Sequence, residues 1–258
     1  MASYLITGAN RGLGYGFVQV LAKNPDNTII GLVRDKAAAD KKLASDGYKN
    51  VTFVQAVIAD RKSVLAARDE VSKIAGGQLD YLINNAAAMG EATATKPLDE
   101  YEDTPDKLEN DLLETFKVNV LAVINTTNVF LPLIKKGSAK KVLLISSGMA
   151  DPDLVNNGVV DAAPYSISKA AANMAIYKYN AKYKDQGILF FAVSPGIVNT
   201  GNDNSKIVKD LQVAFPDWKG PLTPTESADL VLKVLYDSSL EKGHGGSFLS
   251  HWGNKQWL

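Results

Sequence analysis

Short apolar runs alternate with longer amphipathic segments along most of this chain, and that alternation limits its possible folds more than any other feature. Strands are predicted at residues 4–7, 28–33, 51–57, 81–83, 141–145, 188–193 and 247–249. Helices are predicted at residues 12–23, 36–45, 163–183 and 227–236, with another beginning at Asp60. The strand runs are apolar throughout, which indicates strands buried on both faces. The pattern therefore predicts an α/β fold, a doubly wound parallel sheet with helices on both faces.

A long helix is predicted from the pair Thr104-Pro105, an N-cap residue followed by proline, to about Pro132. Apolar residues recur at helical spacing along one face of this helix: Leu108, Leu112, Phe116, Val120 and Val123. We expect that face to be buried. No linker or shift of composition divides the chain, so residues 1–258 are expected to form one domain.

Composition excludes several classes of function. The 28 basic and 28 acidic residues cancel, so no net charge attracts nucleic acid or an anionic membrane. The absence of cysteine excludes disulfides, thiolate catalysis and cysteine-ligated zinc. His244 and His251 are expected at the surface or in packing, and no metal site is predicted. No charged and apolar leader precedes Tyr4, and the expected location is cytoplasmic.

A glycine-rich turn, residues 7–14, follows the first predicted strand and opens the first predicted helix. Glycine lets backbone N–H groups approach a pyrophosphate closely, and the helix N-terminus adds partial positive charge. Turns use glycine for many other reasons, but a position that opens a βαβ unit favours dinucleotide binding. The residues of this turn predicted to contact the cofactor are Gly8, Asn10, Arg11, Gly12, Leu13 and Gly14.

The end of the second predicted strand indicates which dinucleotide binds. A carboxylate there would bind the free ribose hydroxyl of NAD, but Val33 occupies the position and Arg34 follows it. Arg34 and Arg11 together suit a 2′-phosphate, because a guanidinium binds phosphate through two parallel hydrogen bonds. The alternative is that Arg34 pairs with Asp35 or with solvent. The pair of arginines favours NADP(H).

Tyr165 and Lys169 are four residues apart, so they share one face of a predicted helix. A phenol is a poor acid at neutral pH, with a free pKa of about 10, and a fixed cation beside it favours the phenolate. Taken alone, this spacing also fits a surface lysine beside a packed tyrosine. Upstream, Ser146 and Ser147 end an apolar strand.

These features, in this order, resemble the short-chain dehydrogenase/reductase family over nearly the whole chain. The family patterns T-G-x-x-x-G-x-G, N-N-A-G and I-S-S match residues 7–14, 84–87 and 145–147, with Ala87 replacing the last glycine of the second pattern. Its catalytic asparagine matches Asn119, Y-x-x-x-K matches residues 165–169, and P-G-x-x-x-T matches residues 195–200. The resemblance implies a single-domain Rossmann fold with these catalytic residues: Asn119, Ser147, Tyr165 and Lys169. It also implies further cofactor contacts from Asn85, Ala86, Tyr165, Lys169, Pro195, Gly196, Val198 and Thr200.

Within the family, the chain resembles the sniffer-type carbonyl reductases and the fungal norsolorinic-acid ketoreductases. This likeness rests on the two arginines, on the ending at residues 246–253 and on Trp257. Two features depart from the family pattern. Val57 stands where the family often has an aspartate that contacts adenine, and extra residues lie within 151–163, beside the expected substrate cleft.

The resemblance implies that NADPH reduces a carbonyl group while Tyr165 donates a proton, Ser147 binds the carbonyl oxygen and Lys169 lowers the pKa of Tyr165 together with the oxidised nicotinamide. Asn119 would hold a water that relays protons. Residues expected to line an apolar cleft, or to be plain core residues, are Met89, Met149, Leu154, Val155, Val198, Phe215 and Trp218. A substrate lid is expected near residues 202–220.

The predicted substrate is a ketone, aldehyde or ketoester without a strong anionic group. The alternatives are an NADP(H)-binding sensor with little turnover and an NAD-dependent alcohol oxidation. By analogy with the family, a homodimer or homotetramer is possible.

Overall fold

The computed structural model describes residues 1–90, 96–201, 208, 212–213 and 217–257, and every structural statement below concerns these residues. Seven parallel strands form one sheet in the order β3-β2-β1-β4-β5-β6-β7. The strands are β1 (Ser3–Thr7), β2 (Thr28–Val33), β3 (Val51–Gln55), β4 (Tyr81–Asn84), β5 (Lys141–Ile145), β6 (Leu189–Ser194) and β7 (Phe248–Ser250). The predicted doubly wound α/β fold is confirmed.

Helices cover both faces of the sheet. The described helices are α1 (Gly12–Ala22), α2 (Lys36–Asp46), α3 (Arg61–Ile74), α4 (Pro105–Phe116), α5 (Ala122–Ile134), α6 (Pro152–Asn156), α7 (Ala163–Tyr183) and α8 (Pro224–Asp237). Buried side chains of α1, α2 and α8 pack on one face, and those of α3, α5 and α7 pack on the other. Neighbouring strand residues lie in opposite cores: Ile6 packs with α1, α2 and α8, and Leu5 packs with α3, α5 and α7. This arrangement explains why the strands are apolar throughout.

The strand order reverses direction at β1, which has β2 on one side and β4 on the other. The chain segments that leave β1 and β4 therefore diverge and leave a crevice beyond the carboxyl ends of the strands. In open α/β sheets, ligands bind in this crevice. The glycine turn follows β1, and residues 85–88 follow β4, so both motifs lie at this point.

The long predicted helix differs from expectation in its buried face. A π turn, Lys117–Leu121, joins α4 to α5, and it inserts an extra residue into the helical repeat. Asp111 and Thr115 are buried in α4, whereas Phe116 is 42% exposed. The predicted burial is wrong for Phe116, whereas Leu108 and Leu112 are partly buried and Val120 and Val123 are buried as predicted.

Smaller differences concern the ends of elements. Pro132 does not end α5, which continues to Ile134. The strand predicted to reach Val57 ends at Gln55, because the Val57 amide turns away to donate to Ser63 Oγ at 2.9 Å. Asp60 caps α3 as predicted, accepting from the Lys62 amide. Phe215 and most of the predicted lid at residues 202–220 lie outside the described residues.

The helical run Pro105–Ile134 is long and apolar enough to span a bilayer by length and composition alone. Of the most apolar 18-residue window of this run, 61% is buried inside the fold. Core helices of globular proteins share these properties, and the α5 part of this run packs in the same core as α3 and α7.

Candidate active site

Two glycines of the turn after β1 occupy positions where no side chain fits. Gly8 has φ +66°, a left-handed conformation, and a Cβ there would lie 2.9 Å from Ala86 Cβ. A Cβ on Gly14 would lie 2.2 Å from the carbonyl oxygen of Gly8. The turn therefore folds tightly over the start of α1, whose first N–H groups have no partner within the helix. This is a backbone cradle of the kind that binds a pyrophosphate at a helix N-terminus.

The cradle is tied to the segment after β4 by hydrogen bonds across the crevice. The Thr7 hydroxyl accepts from the backbone amides of Asn85 and Ala86, both at 3.0 Å. The Asn85 side chain donates to the carbonyl oxygen of Thr7 at 2.9 Å. The structure thus brings together the glycine turn and the N-N-A motif, as the sequence predicts. Thr7, which was not among the predicted site residues, provides the hydroxyl that joins them.

The segment after β6 forms the other wall of the crevice. Thr200 approaches the cradle, because a Cβ on Gly12 would lie 3.2 Å from Thr200 Cγ2. The carbonyl oxygen of Pro195 accepts from Ser227 Oγ of α8 at 2.7 Å. Val198 forms an isolated parallel bridge with Leu222. This bridge brings together the two chain segments that flank the predicted lid.

His251 packs against the same wall and was not predicted as a site residue. It is only 4% exposed, and a Cβ on Gly196 would lie 2.9 Å from its Cε1 atom. Burial lowers its pKa. The expectation that the histidines serve in packing therefore holds for His251. The alternation of β7 could not reveal this contact, because it depends on β7 lying next to β6.

The two arginines proposed to bind a 2′-phosphate are both exposed at the carboxyl edge of the sheet. Arg11 is the N-cap residue of α1, and Arg34 directly follows β2, the neighbour of β1. Asp35 does not pair with Arg34 among the described ion pairs. Its carboxylate accepts from the Ala38 amide at 2.9 Å and so caps α2. Arg34 is therefore available for an anionic ligand.

Tyr165 and Lys169 lie together on α7, which packs beside β5 and β6. The Lys169 Nζ atom is 5.6 Å from the centre of the Tyr165 ring. It donates a hydrogen bond to the carbonyl oxygen of Ile145, at the end of β5, at 2.8 Å. Lys169 is 2% exposed, so its ammonium group is anchored in the interior at the base of the site. The predicted pair is brought together as the helical spacing requires.

Ser147, and not Ser146, is the serine that reaches Tyr165. The Ser147 side chain lies close enough to the Tyr165 phenol to lower its pKa. Ser147 also caps the short 3-10 turn Gly148–Ala150, accepting from the Met149 amide at 3.3 Å. Ser146 is 1% exposed, and its hydroxyl has no hydrogen-bond partner among the described residues. The structure thus separates two neighbouring serines between which sequence alone does not discriminate.

Burial dominates the acid–base properties of Tyr165. It raises the pKa of Tyr165 to about 12, and the Ser147 side chain acts in the opposite direction. In the protein alone, the phenol is therefore protonated at neutral pH, which is the form that donates a proton. The predicted lowering of the Tyr165 pKa involves Lys169 together with a cationic ring, and it stays a prediction.

Burial lowers the pKa of Lys169 to about 7, from 10.5 for a free lysine. Between about pH 7 and pH 10.5, Lys169 is protonated in the unfolded chain but largely deprotonated in the folded chain. The unfolded chain therefore binds one more proton, and the free energy of unfolding rises with pH. We expect the parent protein without cofactor to gain stability from about pH 7 to about pH 9, relative to Lys169→Met, by up to about 1.4 kcal/mol per pH unit. Urea unfolding at several pH values measures this difference.

The control is Lys178→Met, which replaces an exposed lysine on the same helix. It should retain the pH dependence of the parent, because an exposed ammonium group keeps its hydration on folding. Identical slopes for the parent and Lys169→Met would contradict the assignment of a buried, readily deprotonated Lys169.

Asn119 is fully buried within the π turn and joins three parts of the site. Its Oδ1 atom accepts from the Ala88 amide at 2.8 Å, and its Nδ2 group donates to the carbonyl oxygen of Ala88 at 2.8 Å. The same Nδ2 group donates to Ser168 Oγ at 2.8 Å, and Ser168 Oγ donates to the carbonyl oxygen of Tyr165 at 2.7 Å. Asn119 therefore holds α7 against the segment after β4. Its predicted role in binding a relay water stays a prediction.

The fold and site together define a class of protein. A glycine cradle opens α1 at the point where the strand order reverses, and α7 carries a partly exposed tyrosine, Tyr165, next to the buried Lys169 and near Ser147. These are the features of Rossmann-type oxidoreductases, which bind a nicotinamide dinucleotide.

Comparisons with known proteins agree with this class. The family model described as short chain dehydrogenase matches residues 3–210. The chain is 44% identical to the short chain dehydrogenase virK of Hypocrea virens and 46% identical to the short-chain dehydrogenase/reductase AacuF of Aspergillus aculeatus, with each match covering 100% of both chains. The chain belongs to the short-chain dehydrogenase/reductase family and is an oxidoreductase of that family.

Solved structures share the fold over the full length. The NADPH-bound carbonyl reductase from chicken fatty liver superposes with a TM-score of 0.80 at 29% identity, covering 100% of this chain and 99% of that one. The carbonyl reductase Sniffer of D. melanogaster superposes with a TM-score of 0.79 at 22% identity, covering 98% of each chain. The second likeness concerns the fold alone.

Proposed function

We propose that this protein reduces a ketone or aldehyde to an alcohol with NADPH, with Tyr165 as the proton donor. The observation that carries the proposal is the placement of Tyr165 between Lys169, whose Nζ atom lies 5.6 Å from the centre of the phenol ring, and Ser147, whose side chain acts to lower the pKa of Tyr165. A protein that only binds a dinucleotide needs no such proton-transfer pair. The likeness to an NADPH-bound carbonyl reductase at 29% identity supports the same reaction.

The residues present fit a nicotinamide dinucleotide. The cradle at Gly8 and Gly14 is closed to any side chain, yet it presents backbone N–H groups at a helix N-terminus. Asn85, Ala86 and Thr200 would line the crevice beside the cradle. When bound, the cofactor supplies the hydride that adds to the carbonyl carbon.

This chain's own residues would handle the charge and the proton. Ser147 would donate a hydrogen bond to the carbonyl oxygen, orienting it and stabilising the negative charge that develops there. Tyr165 would donate its proton to that oxygen, so that an alcohol forms and a phenolate remains. Lys169 would take up a proton from solvent and stabilise the phenolate by its charge until the tyrosine is reprotonated.

A panel of uncharged ketones, aldehydes and ketoesters tests the proposal directly. The loss of NADPH absorbance should follow turnover for at least one compound, and product analysis should identify the alcohol. If NADPH binds but no compound is reduced, the protein is instead an NADP(H)-binding sensor. The panel includes carboxylated carbonyl compounds as controls, which we expect to be poor substrates.

Arg34→Ala is expected to raise the KM for NADPH by about 10- to 100-fold, because a bidentate guanidinium–phosphate contact contributes roughly 1.5–3 kcal/mol. The KM for NADH should change little, since NADH lacks the 2′-phosphate. Steady-state kinetics with both cofactors measure the two effects. Arg68→Ala, at an arginine on α3 that pairs with Asp69, is the control. A parent enzyme that prefers NADH would contradict the NADP(H) assignment.

A cytoplasmic location and assembly as a homodimer or homotetramer belong to the same proposal. Fractionation of cells that express the protein and light scattering of the purified protein test these two points.

A further inference from the structure

The residues after β7 cross the carboxyl end of the sheet and reach the turn that carries Ser147. In the sheet, β6 separates β7 from β5. Trp257 nevertheless contacts Gly148, the residue after Ser147, because a Cβ on Gly148 would lie 3.0 Å from Trp257 Cβ and 3.1 Å from Trp257 Cγ. We call residues 254–257 the C-terminal strap. The strap links β7 to the catalytic turn after β5.

Asn254 fixes the start of the strap. Its carbonyl oxygen accepts from the Ser250 amide at 2.7 Å, so the chain closes a tight turn directly after β7. Its Oδ1 atom accepts from Ser250 Oγ at 2.9 Å and from the Gln256 amide at 2.8 Å. These three bonds give the strap a defined direction, back across β6.

Asp151 holds the strap at Lys255. Lys255 Nζ lies 3.3 Å from Asp151 Oδ2, while Asp151 Oδ1 accepts from the amides of Asp153 and Leu154 and so caps α6. The Trp257 ring stacks on the buried ring of Phe248 with 4.6 Å between centres. One carboxylate, which is 9% exposed, therefore joins the strap to the inserted segment.

Gly148 is enclosed between these elements. Its amide donates to Ser194 Oγ of β6 at 2.9 Å. A Cβ on Gly148 would also lie 3.2 Å from Leu154 Cδ2, on the side of α6. The turn that carries Ser147 is thus contacted by β6, by α6 and by the indole of Trp257. Displacement of the indole would leave one side of this turn unsupported.

We propose that the C-terminal strap is a positioning element, in which Trp257 packs on Gly148 and holds Ser147 within hydrogen-bonding reach of Tyr165. The role of this contact in turnover rests on the proposed reductase function. A small displacement of a catalytic group costs rate without necessarily affecting cofactor binding, because the cradle lies on β1 and α1, at a distance from the strap.

Trp257→Ala is expected to lower kcat by about 10- to 100-fold while the Kd for NADPH stays near the parent value. Displacement of Ser147 from Tyr165 also removes an effect that lowers the Tyr165 pKa. In the direction of alcohol oxidation, where the phenolate is the active form, the acidic limb of the pH profile should therefore move to higher pH. A merely structural role of Trp257 would not move this limb.

Trp252→Ala is the matched control, since it removes an indole that is half exposed on the same segment and contacts the ring of His251. It should keep the parental kcat and pH profile. Lys255→Met removes only the ion pair of a side chain that is 63% exposed, and it should lower kcat in the same direction by a smaller factor. This variant tests the strap even if Trp257→Ala folds poorly.

A double-mutant cycle with Gly148→Ala tests the contact itself. The added methyl group meets both Cβ and Cγ of Trp257 in the parent, and only Trp257→Gly removes both atoms. In a cycle with Trp257→Gly, the two losses in kcat should therefore not add. Hydrogen exchange of residues 146–151 in Trp257→Ala, compared with the parent, reports on the turn without any substrate. Faster exchange with lower kcat and a shifted pH limb is the expected result.

Additive losses, or a parental kcat and pH limb in Trp257→Ala, would overturn the proposal, even if the melting temperature falls. If the parent reduces no carbonyl compound, the proposed function fails instead. In that case, exchange of residues 146–151 at the parental rate in Trp257→Ala would overturn the positioning role, and faster exchange would support it.

Discussion

Tyr165→Phe should lower kcat for carbonyl reduction by about 10³-fold, because it removes the only group placed to donate a proton in the proposed mechanism. The ring itself stays, so packing on α7 and the contact with the Lys169 ammonium group persist. Cofactor affinity should therefore remain near the parental value. Stopped-flow or steady-state rates with the best compound of the panel, together with NADPH titration by fluorescence, measure both quantities.

The control for this change is Tyr177→Phe, which removes a phenolic hydroxyl from a partly buried tyrosine further along the same helix. Its kcat should match the parent. If Tyr165→Phe kept a rate within about tenfold of the parent, the general-acid contribution of 10²–10⁴ expected for a positioned proton donor would be missing. Tyr165 would then have no part in proton transfer.

Gly14→Ala should raise the Kd for NADPH by about 100-fold, equivalent to about 2.7 kcal/mol. The new methyl group would lie 2.2 Å from the Gly8 carbonyl oxygen and 2.6 Å from Asn85 Nδ2. Both are parts of the cradle and its tie to the segment after β4, so the backbone itself must shift. Overpacking of this kind also costs about 1–3 kcal/mol of folding stability, which thermal unfolding measures.

Gly47→Ala is the control that separates loss of NADPH affinity from loss of folding stability in Gly14→Ala. Gly47 ends α2 with φ +75°, and a Cβ there meets nothing within 4 Å. The left-handed conformation makes this substitution cost about 1–2 kcal/mol of stability, while the cradle is untouched. We expect lower stability with parental NADPH affinity. Parental affinity in Gly14→Ala would exclude the turn after β1 as the pyrophosphate site.

Sequence patterns predicted the elements that depend on neighbouring residues. The strand Thr28–Val33 and the helix Ala163–Tyr183 have the predicted bounds, since apolar runs and helical periodicity are local signals. The glycine turn lies where a βαβ unit requires it. The burial of Phe116 was predicted wrongly, because the π turn at Lys117–Leu121 adds a residue that the helical periodicity of the sequence does not indicate.

The site shows the same division. The four-residue spacing of Tyr165 and Lys169 was sufficient to place them on one side of α7. The choice of Ser147 over Ser146 depends on how the chain leaving β5 packs against α7. The pairing of Asn119 with Ala88 depends on how the π turn packs against the segment after β4. Both are contacts between separate elements.

By itself, the sequence determined the order of strands and helices, the backbone cradle and the tyrosine–lysine spacing, because short-range sterics and periodic burial govern each of them. Tertiary structure decided the pKa values of Tyr165 and Lys169, since desolvation by the surrounding elements raises the first and lowers the second. It also decided the course of the C-terminal strap. Lys255 meets Asp151 across 104 residues of sequence, and only the order of β5, β6 and β7 brings them together.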